Sequence, residues 1–452
     1  MAKRFVIIGG GPAGNTAATY AARFGAEVTM IERDLVGGAA HLRDCIPSKA
    51  MIATGSALAT INDAQRMGLT DVSAALDFDA LRRRIASIGE HLETSTTALL
   101  ASQGVRLIEG VGRMVGPHAV VAETADGPIE IDADVVLLAT GSRPRIPDWA
   151  PVDGVRMLTT RDAYPPPALP EHLVVIGSGV TGVEFVHMFA SFGSEVTLIV
   201  SRQQVLPLKD PEVAAALEAD FLARGVQLLK GAKASNASVG LDSVTIECTD
   251  GRVVHGSHAL LAIGSIPNTD GLGLDEIGVE LTDGYVRINH NCQSSVPHVY
   301  AAGDISGKLP LSSVASLQGR KIAEHAMGLH IGPHRHIDYE KAASAIFTEP
   351  EIADVGLAEV DAFAVGRKIR VTKVPFSANA KALIEDDARG FVKVISDPAT
   401  GVVLGGSIVG RHAAELISVV ALAVSAGLRV ADLHEALFVH PSMAEALTDA
   451  AE

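Results

Sequence analysis

One segment of this chain occurs twice. The stretch that opens Ile8-Gly9-Gly10-Gly11-Pro12-Ala13-Gly14 and closes Phe24-Gly25-Ala26-Glu27-Val28-Thr29-Met30-Ile31-Glu32 returns 168 residues later. There it opens Ile176-Gly177-Ser178-Gly179-Val180-Thr181-Gly182 and closes Phe192-Gly193-Ser194-Glu195-Val196-Thr197-Leu198-Ile199-Val200. Each copy reads as an apolar strand, a G-x-G-x-x-G turn, a helix rich in small residues and a second apolar strand. That unit holds a pyrophosphate against the N-terminus of a helix, where unpaired N–H groups and the helix dipole favour an anion. A lone G-x-G-x-x-G is weak evidence, but two copies in the same strand–turn–helix setting are not. Two cradles imply two dinucleotides, and the economical chemistry for such a pair is hydride transfer from a nicotinamide to a flavin.

The copies differ 18 positions after their last glycine. After Gly14 that position is Glu32, followed by Arg33. A carboxylate there accepts hydrogen bonds from a ribose diol, as the adenosine half of FAD requires. After Gly182 the position is Val200, followed by Ser201 and Arg202. No acid stands there to repel a 2′-phosphate, and an arginine can pair with one, so the second cradle is expected to prefer NADPH, with NADH possible. The plainer reading of Arg202 is a solvated loop residue.

At 452 residues the chain is too long for one core and suggests about three domains. Its 37 basic against 53 acidic residues, net −16, argue against nucleic acid or an anionic membrane as partner. Three cysteines, Cys45, Cys248 and Cys292, do not make a secreted disulfide framework. Lys3-Arg4 with Phe5–Ile8 imitates the start of a signal peptide, but the apolar run is short and ends in the glycine turn. The longest mostly apolar stretch, Leu416–Leu428, is too short for a membrane span and reads as a buried helix. A cytoplasmic location is expected, and no metal site.

Turns divide the rest. Val135–Gly141 is a buried strand ending in glycine, after which Pro144, Pro147 and Pro151 mark a crossing. Leu260–Gly264 before Pro267-Asn268 repeats the device, and Val299–Asp304 delivers an acid at a strand's C-terminal end, where open α/β sheets bind ligands. From about residue 335 the pattern turns to antiparallel-like strands such as Phe391–Ile395 with helices. The expected fold is α/β, with two Rossmann-like dinucleotide-binding domains and a C-terminal α+β domain. The expected segments are 1–148 and 267–334 for FAD, 149–266 for NAD(P), and 335–452 for dimerisation.

These residues resemble the flavoprotein disulfide reductases, which include lipoamide dehydrogenase, glutathione reductase and mercuric reductase. The matching stretches are Gly37-Gly38 with Cys45-Ile46-Pro47-Ser48-Lys49, Ala139–Ser142, Gly177–Glu184, Gly264–Thr269, Tyr300–Asp304, Phe347–Ala353, and His440-Pro441 with Glu445. The resemblance implies FAD held by Gly9, Gly11, Pro12, Ala13, Gly14, Glu32, Arg33, Gly38, Ala39, Lys49, Gly112, Thr140, Gly141, Asp304, Leu311 and Ser312. It implies NAD(P)H at Gly177, Gly179, Val180, Gly182, Glu184, Ser201, Arg202 and Gly264. Asp304 would bind the flavin's ribitol, Lys49 and Glu184 would form an ion pair by flavin and nicotinamide, and the C-terminal domain would make a homodimer.

One departure matters more than the matches. The family reads Gly-Gly-Thr-Cys, four residues, Cys-x-Pro-Ser-Lys, whereas here Gly37-Gly38-Ala39-Ala40-His41-Leu42-Arg43-Asp44-Cys45 places Ala40 at the first cysteine. Without it Cys45 has no local partner for a redox disulfide. Cys248 and Cys292 read as small buried hydrophobes. The variant resembles actinobacterial NAD(P)H:quinone reductases, and Arg43 and Asp44 would lend charge to the vacated pocket. In relatives His440, oriented by Glu445, serves the partner subunit's site; the alternative is a histidine at a helix start, with Pro441 as first helical residue. The expected function is an FAD-dependent NAD(P)H oxidoreductase with a quinone-like two-electron acceptor and catalytic residues Cys45, Lys49, Glu184, His440 and Glu445. Three further activities fit: a soluble pyridine-nucleotide transhydrogenase, a one-cysteine disulfide, persulfide or metal reductase, and a flavin redox sensor.

Overall fold

The computed structural model describes residues 2–329 and 336–452. The chain forms two compact units: Met1–Pro47, Arg82–Arg145 and Ser265–Tyr339 in the first, Ser48–Leu81, Ile146–Gly264 and Glu340–Glu452 in the second. The segment boundary expected at 334/335 lies outside the described residues.

In the first unit a five-stranded parallel sheet runs in the order Val299–Ala301, Val135–Leu138, Arg4–Ile8, Glu27–Glu32, Arg106–Glu109. Its inner strands are near-continuous apolar runs because both faces are covered; Val6, Ile7, Val136 and Leu137 are buried. The helix Pro12–Arg23 buries Ala13, Gly14, Ala17, Ala18 and Ala21, one small-residue face. That face lets the helix Ser312–Ala326 approach closely: a Cβ on Gly319 would stand 2.2 Å from the Ala13 carbonyl oxygen.

The second unit repeats the plan with the order Met157–Thr159, His258–Leu261, His172–Ile176, Glu195–Val200, Gln227–Lys230. Registers agree as well, with Arg4 opposite Glu27 in one sheet and His172 opposite Glu195 in the other. Each repeat also carries a three-stranded antiparallel meander, Val111–Asp132 in the first and Ala234–Gly256 in the second. The duplication visible in sequence over one β-α-β unit thus extends to whole domains.

The C-terminal part of the second unit is a five-stranded antiparallel sheet, Ser344–Ile346, Ile352–Gly356, Val403–Val409, Phe391–Ser396, Arg370–Pro375, backed by the helix Ala413–Ala426. That helix corrects the expected Leu416–Leu428. It begins three residues earlier, because Ala413 and Ala414 are good helix formers and Glu415 suits a first turn, and it stops before Gly427 in left-handed backbone at φ +68°. Nor is it buried all round: Ile417, Val420, Ala423 and Val424 face the sheet, while Leu422 is 66% exposed. No helix among the described residues is long and apolar enough to cross a membrane.

Candidate active site

In the first fingerprint each glycine has its own reason. Gly9 adopts φ +108°, and a Cβ there would strike the Ala139 carbonyl oxygen at 2.3 Å. A Cβ on Gly14 would lie 2.1 Å from the Gly9 carbonyl oxygen, so only glycine lets the helix sit on the strand. Gly11 differs. Its backbone is ordinary extended chain (φ −74°, ψ −175°), and a Cβ would come no nearer than 3.9 Å to anything, Gly38 Cα. Neither folding nor packing requires glycine at 11, and its bare backbone leaves room for a ligand to approach. The helix it starts has no side-chain cap, which leaves N–H groups for a phosphate. Glu32 closes the cradle, accepting hydrogen bonds from the Gly10 N–H at 2.6 Å and the Asp34 N–H at 2.8 Å.

Other flavin candidates in this unit are placed by mutual locks. Thr140 Oγ1 donates to the Asn268 carbonyl at 2.7 Å while Asn268 Nδ2 donates to the Thr140 carbonyl at 2.9 Å. Asp304, at the end of the strand Val299–Ala301, accepts a hydrogen bond from Ser142 Oγ at 2.6 Å. Gly112 is a packing glycine, since its Cβ would meet Ile8 at 2.9 Å. Leu311 is the extended residue before the helix Ser312–Ala326, another N-terminus without a side-chain cap. Arg33 is exposed. Ser142 and Asn268 lay inside the recognised motifs, but their roles were not legible there, because each acts on a residue more than a hundred positions away. These residues fit an FAD: an uncapped phosphate turn, an acid for the ribose and an acid at the strand end.

The second fingerprint reproduces the first nearly to the degree. Gly177 has φ +111°, a Cβ on Gly182 would be 1.8 Å from the Gly177 carbonyl oxygen, and Gly179 has φ −74°, ψ −174° with nothing within 4 Å of its Cβ position. Val180 is exposed at the head of the helix Val180–Phe192, and Gly264 has φ +93°. Ser201 and Arg202 are exposed on the loop after the strand Glu195–Val200. The Arg202 guanidinium makes no ion pair among the described residues.

One turn into that helix sits Glu184, buried at 4% exposure. Its carboxylate receives Lys49 Nζ at 2.8 and 2.9 Å and the Phe347 backbone N–H at 3.0 Å. Lys49 also lies 4.8 Å from the centre of the Phe347 ring. A buried carboxylate needs a paired charge and hydrogen bonds to be tolerated, and Glu184 has both. Phe347 stood in a matching stretch without an assigned role; an N–H donor leaves no signal in sequence.

Ala40–Cys45 forms a π-helical turn that continues into the helix Ile46–Asn62, which carries Lys49. Such turns concentrate at functional sites. Ala40 is exposed and Ala39 adopts helical backbone before it. Gly38 is required, since its Cβ would meet Gly11 Cα at 2.6 Å. No cysteine is in a disulfide. Cys248 and Cys292 are buried, as read from sequence, and burial raises both thiols, Cys292 to about 11. The Arg43 guanidinium lies 2.6 Å from Asp34 in an ion pair that leaves both side chains partly exposed.

At the other end of the chain His440 Nδ1 lies 2.8 Å from Glu445 Oε1, and the Ser442 N–H donates to Glu445 Oε2 at 2.9 Å. That N–H and the histidine hold the Glu445 carboxyl below its ordinary range. Pro441 is not a first helical residue, because the helix runs Glu445–Asp449. His440 is therefore no helix-start residue; it is an exposed imidazole oriented by a carboxylate.

Two pyrophosphate cradles with glycines spared for ligand, plus a buried Lys–Glu pair on one of them, define an α/β oxidoreductase built around two dinucleotides. The chain belongs to the pyridine nucleotide-disulphide oxidoreductase family, matching it over residues 3–319 and its dimerisation domain over 342–451. Family membership implies FAD and a pyridine nucleotide. The chain is 41% identical, over its full length and 94% of the relative's, to a Mycobacterium tuberculosis protein named NAD(P)H dehydrogenase (quinone). It is 33% identical to dihydrolipoyl dehydrogenase of Zymomonas mobilis, covering 99% and 97% of the two chains. Among solved structures it superposes on LpdA from M. tuberculosis with a TM-score of 0.93 at 40% identity, covering 99% of each chain. It superposes on the HOCl-induced flavoprotein disulfide reductase RclA of Escherichia coli at 0.87 and 25% identity, again over 99% of each.

Proposed function

We propose that this protein oxidises NAD(P)H and passes the electron pair through FAD to a quinone-like acceptor, without a redox disulfide. The observation that carries the reading is Ala40, at the position of the family's first cysteine, in a chain that keeps the Lys49–Glu184 pair. When bound, FAD supplies two-electron chemistry between a hydride donor and an acceptor. The chain's own residues bind and orient: Gly11, Glu32 and Asp304 for the flavin nucleotide, Gly179 and Arg202 for the nicotinamide nucleotide. Glu184, itself buried, fixes the Lys49 ammonium at one point. In this reading Cys45 is not on the electron path, residues 1–148 and 267–334 hold FAD, and 149–266 hold NAD(P)H, with NADPH favoured through Arg202. The name of the M. tuberculosis relative supports the acceptor class.

A homodimer joined through residues 335–452 fits the family's dimerisation domain and the apolar side chains left exposed there, including Leu422, Leu437 and Val439. His440, held by Glu445, is then available as a proton donor for a partner subunit's acceptor. The deciding experiment is steady-state oxidation of NADPH and NADH against menadione, benzoquinone, lipoamide, oxidised glutathione, oxygen and a nicotinamide analogue. Rapid turnover with quinones and slow turnover with both disulfides is expected. Vigorous lipoamide or glutathione reduction, or preferred transfer to the nicotinamide analogue, would overturn it.

A further inference from the structure

The loop after the strand Glu195–Val200 is the part of the second cradle that can tell one adenosine ribose from another, since it carries Ser201 and Arg202. It has no regular structure, yet it is tied at several points. The Leu206 N–H donates to the Ser178 carbonyl at 2.8 Å, which ties the loop to the fingerprint turn itself. Leu206 adopts left-handed backbone at φ +49°, a conformation costly for leucine and held here by that bond and its burial. Gln204 Nε2 donates to the Lys209 carbonyl at 3.1 Å, and the Val205 N–H donates to Glu218 at 2.9 Å.

The last two residues of the loop leave the nucleotide segment altogether. Lys209 Nζ donates to Asp354 Oδ2 and, at 3.1 Å, to Ser344 Oγ; Ser344 Oγ donates to Asp354 Oδ1 at 2.8 Å. Asp210 accepts from Lys393 Nζ at 2.5 Å and from the Val360 N–H at 3.1 Å. Lys393 is fully buried and also meets Glu212 at 2.6 Å and Glu359 at 3.2 Å, so its ammonium fills the acidic cluster Asp210, Glu212 and Glu359. Ser344, Asp354, Glu359, Val360 and Lys393 all belong to the C-terminal sheet and the helix Glu359–Ala364. Buried, hydrogen-bonded ion pairs are poor contributors to net stability but strict about geometry, which is what a loop without regular structure lacks.

We propose that Lys209 and Lys393 are positioning residues for the nicotinamide nucleotide. Through Asp354 and Asp210 the C-terminal domain fixes the far end of the Ser201–Asp210 loop, and Leu206 transmits that anchoring to Ser178 in the phosphate turn. The C-terminal domain thereby sets how Arg202 meets the adenosine ribose, a task separate from dimerisation. This inference rests on the reading that the second fingerprint binds NAD(P)H.

The test is equilibrium binding of NADP+ and NAD+ to the FAD-loaded protein by fluorescence titration, with rapid-mixing reduction by NADPH alongside. Lys209→Met and Asp354→Asn, at half-buried positions, are expected to raise the NADP+ dissociation constant five- to twentyfold and to narrow its ratio to that of NAD+. The limiting rate of reduction and reoxidation by menadione should stay within twofold. The charge swap Lys209→Glu with Asp354→Lys should restore at least half of the lost affinity. Lys393→Met, if it folds, should do the same as Lys209→Met. Variants with lowered melting temperature but unchanged affinity for both nucleotides would overturn the inference and leave a purely structural clamp. A wild-type protein that binds neither NADP+ nor NAD+ would instead overturn the underlying reading.

Discussion

Lys49 Nζ lies 2.8 Å from Glu184 Oε2 although 135 residues separate them, and the carboxylate is almost wholly buried. The two come from different motifs, one near Cys45 and the other two residues past the last glycine of the second fingerprint. Replacing Glu184 with Gln keeps the shape and removes the counter-charge. Flavin reduction by NADPH should slow at least tenfold, about 1.4 kcal/mol in the barrier, while reoxidation by menadione keeps its rate. Rapid-mixing spectroscopy separates the two halves; equal slowing of both would count against a role in the nucleotide half-reaction.

Glycine positions within one fingerprint should behave oppositely. Gly179→Ala places its Cβ in open space on ordinary backbone, so the melting temperature without nucleotide should hold or rise slightly. NADP+ affinity should nonetheless fall about tenfold or more, because the methyl group occupies the ligand's approach. Gly182→Ala, with 1.8 Å to the Gly177 carbonyl oxygen, should impair folding itself. Thermal melts and nucleotide titrations on both variants decide the matter. If Gly179→Ala bound NADP+ as well as wild type, this cradle would not be a pyrophosphate site.

Cys45→Ser should retain most quinone reduction, within about threefold, because no disulfide can form across Ala40. The check is turnover with menadione together with the absorbance spectrum of the two-electron-reduced enzyme. A large loss of turnover, or loss of a thiolate-to-flavin band on substitution, would place the sulfur on the electron path.

Arg202→Ala should weaken NADPH and spare NADH. A surface pair to a 2′-phosphate is worth on the order of 1 kcal/mol, so a roughly five- to tenfold rise in the Michaelis constant for NADPH is expected. Steady-state kinetics with both nucleotides checks this; an equal effect on the two, or none, would return Arg202 to the status of a solvated loop residue.

His187, fully buried on the helix Val180–Phe192, receives Arg224 Nη1 at Nδ1 at 3.0 Å. Burial, and then the charges of Arg224 and Arg389, push its pKa down to about 3. The unfolded chain binds a proton near pH 6.5 and the folded chain does not, so stability is full above pH 6.5 and falls as the pH drops toward 3. The slope is about 1.4 kcal/mol per pH unit, or roughly 2 kcal/mol between pH 6.5 and 5. Urea unfolding of wild type and His187→Gln at pH 7.5 and 5 should show a flatter dependence in the variant. Identical slopes would mean another group carries the acid sensitivity.

What the sequence determined by itself follows from local rules. Gly14 and Gly182 are dictated by the Gly9 and Gly177 carbonyl oxygens of their own turns, and Gly9 and Gly177 by the positive φ those turns adopt, so the two cradles, their parallel strands and their duplication could be read from sequence. The same holds for Glu32 against Val200, one position in a short motif, and for Ala40, the absence of a thiol at a known spacing. Cys248 and Cys292 are both buried, as read from sequence, because a lone thiol packs like any small apolar side chain.

Tertiary structure decided what depends on distant partners. Arg43 reads as an unpaired loop charge, and the fold brings Asp34 within 2.6 Å of it. Pro441 looked like a helix start, yet the helix waits for Glu445. The helix behind the C-terminal sheet reads as apolar throughout, but only packing shows which stripe is covered and that Leu422 is left out. Phe347, Ser142 and Asn268 act through N–H, hydroxyl or carboxamide groups on residues more than a hundred positions away. Lys393 reads as an ordinary strand lysine until Asp210, Glu212 and Glu359 close around it. Sequence fixes short-range sterics and hydrogen bonding, whereas a buried charge or polar bond is specified only once the fold has brought both partners out of water together.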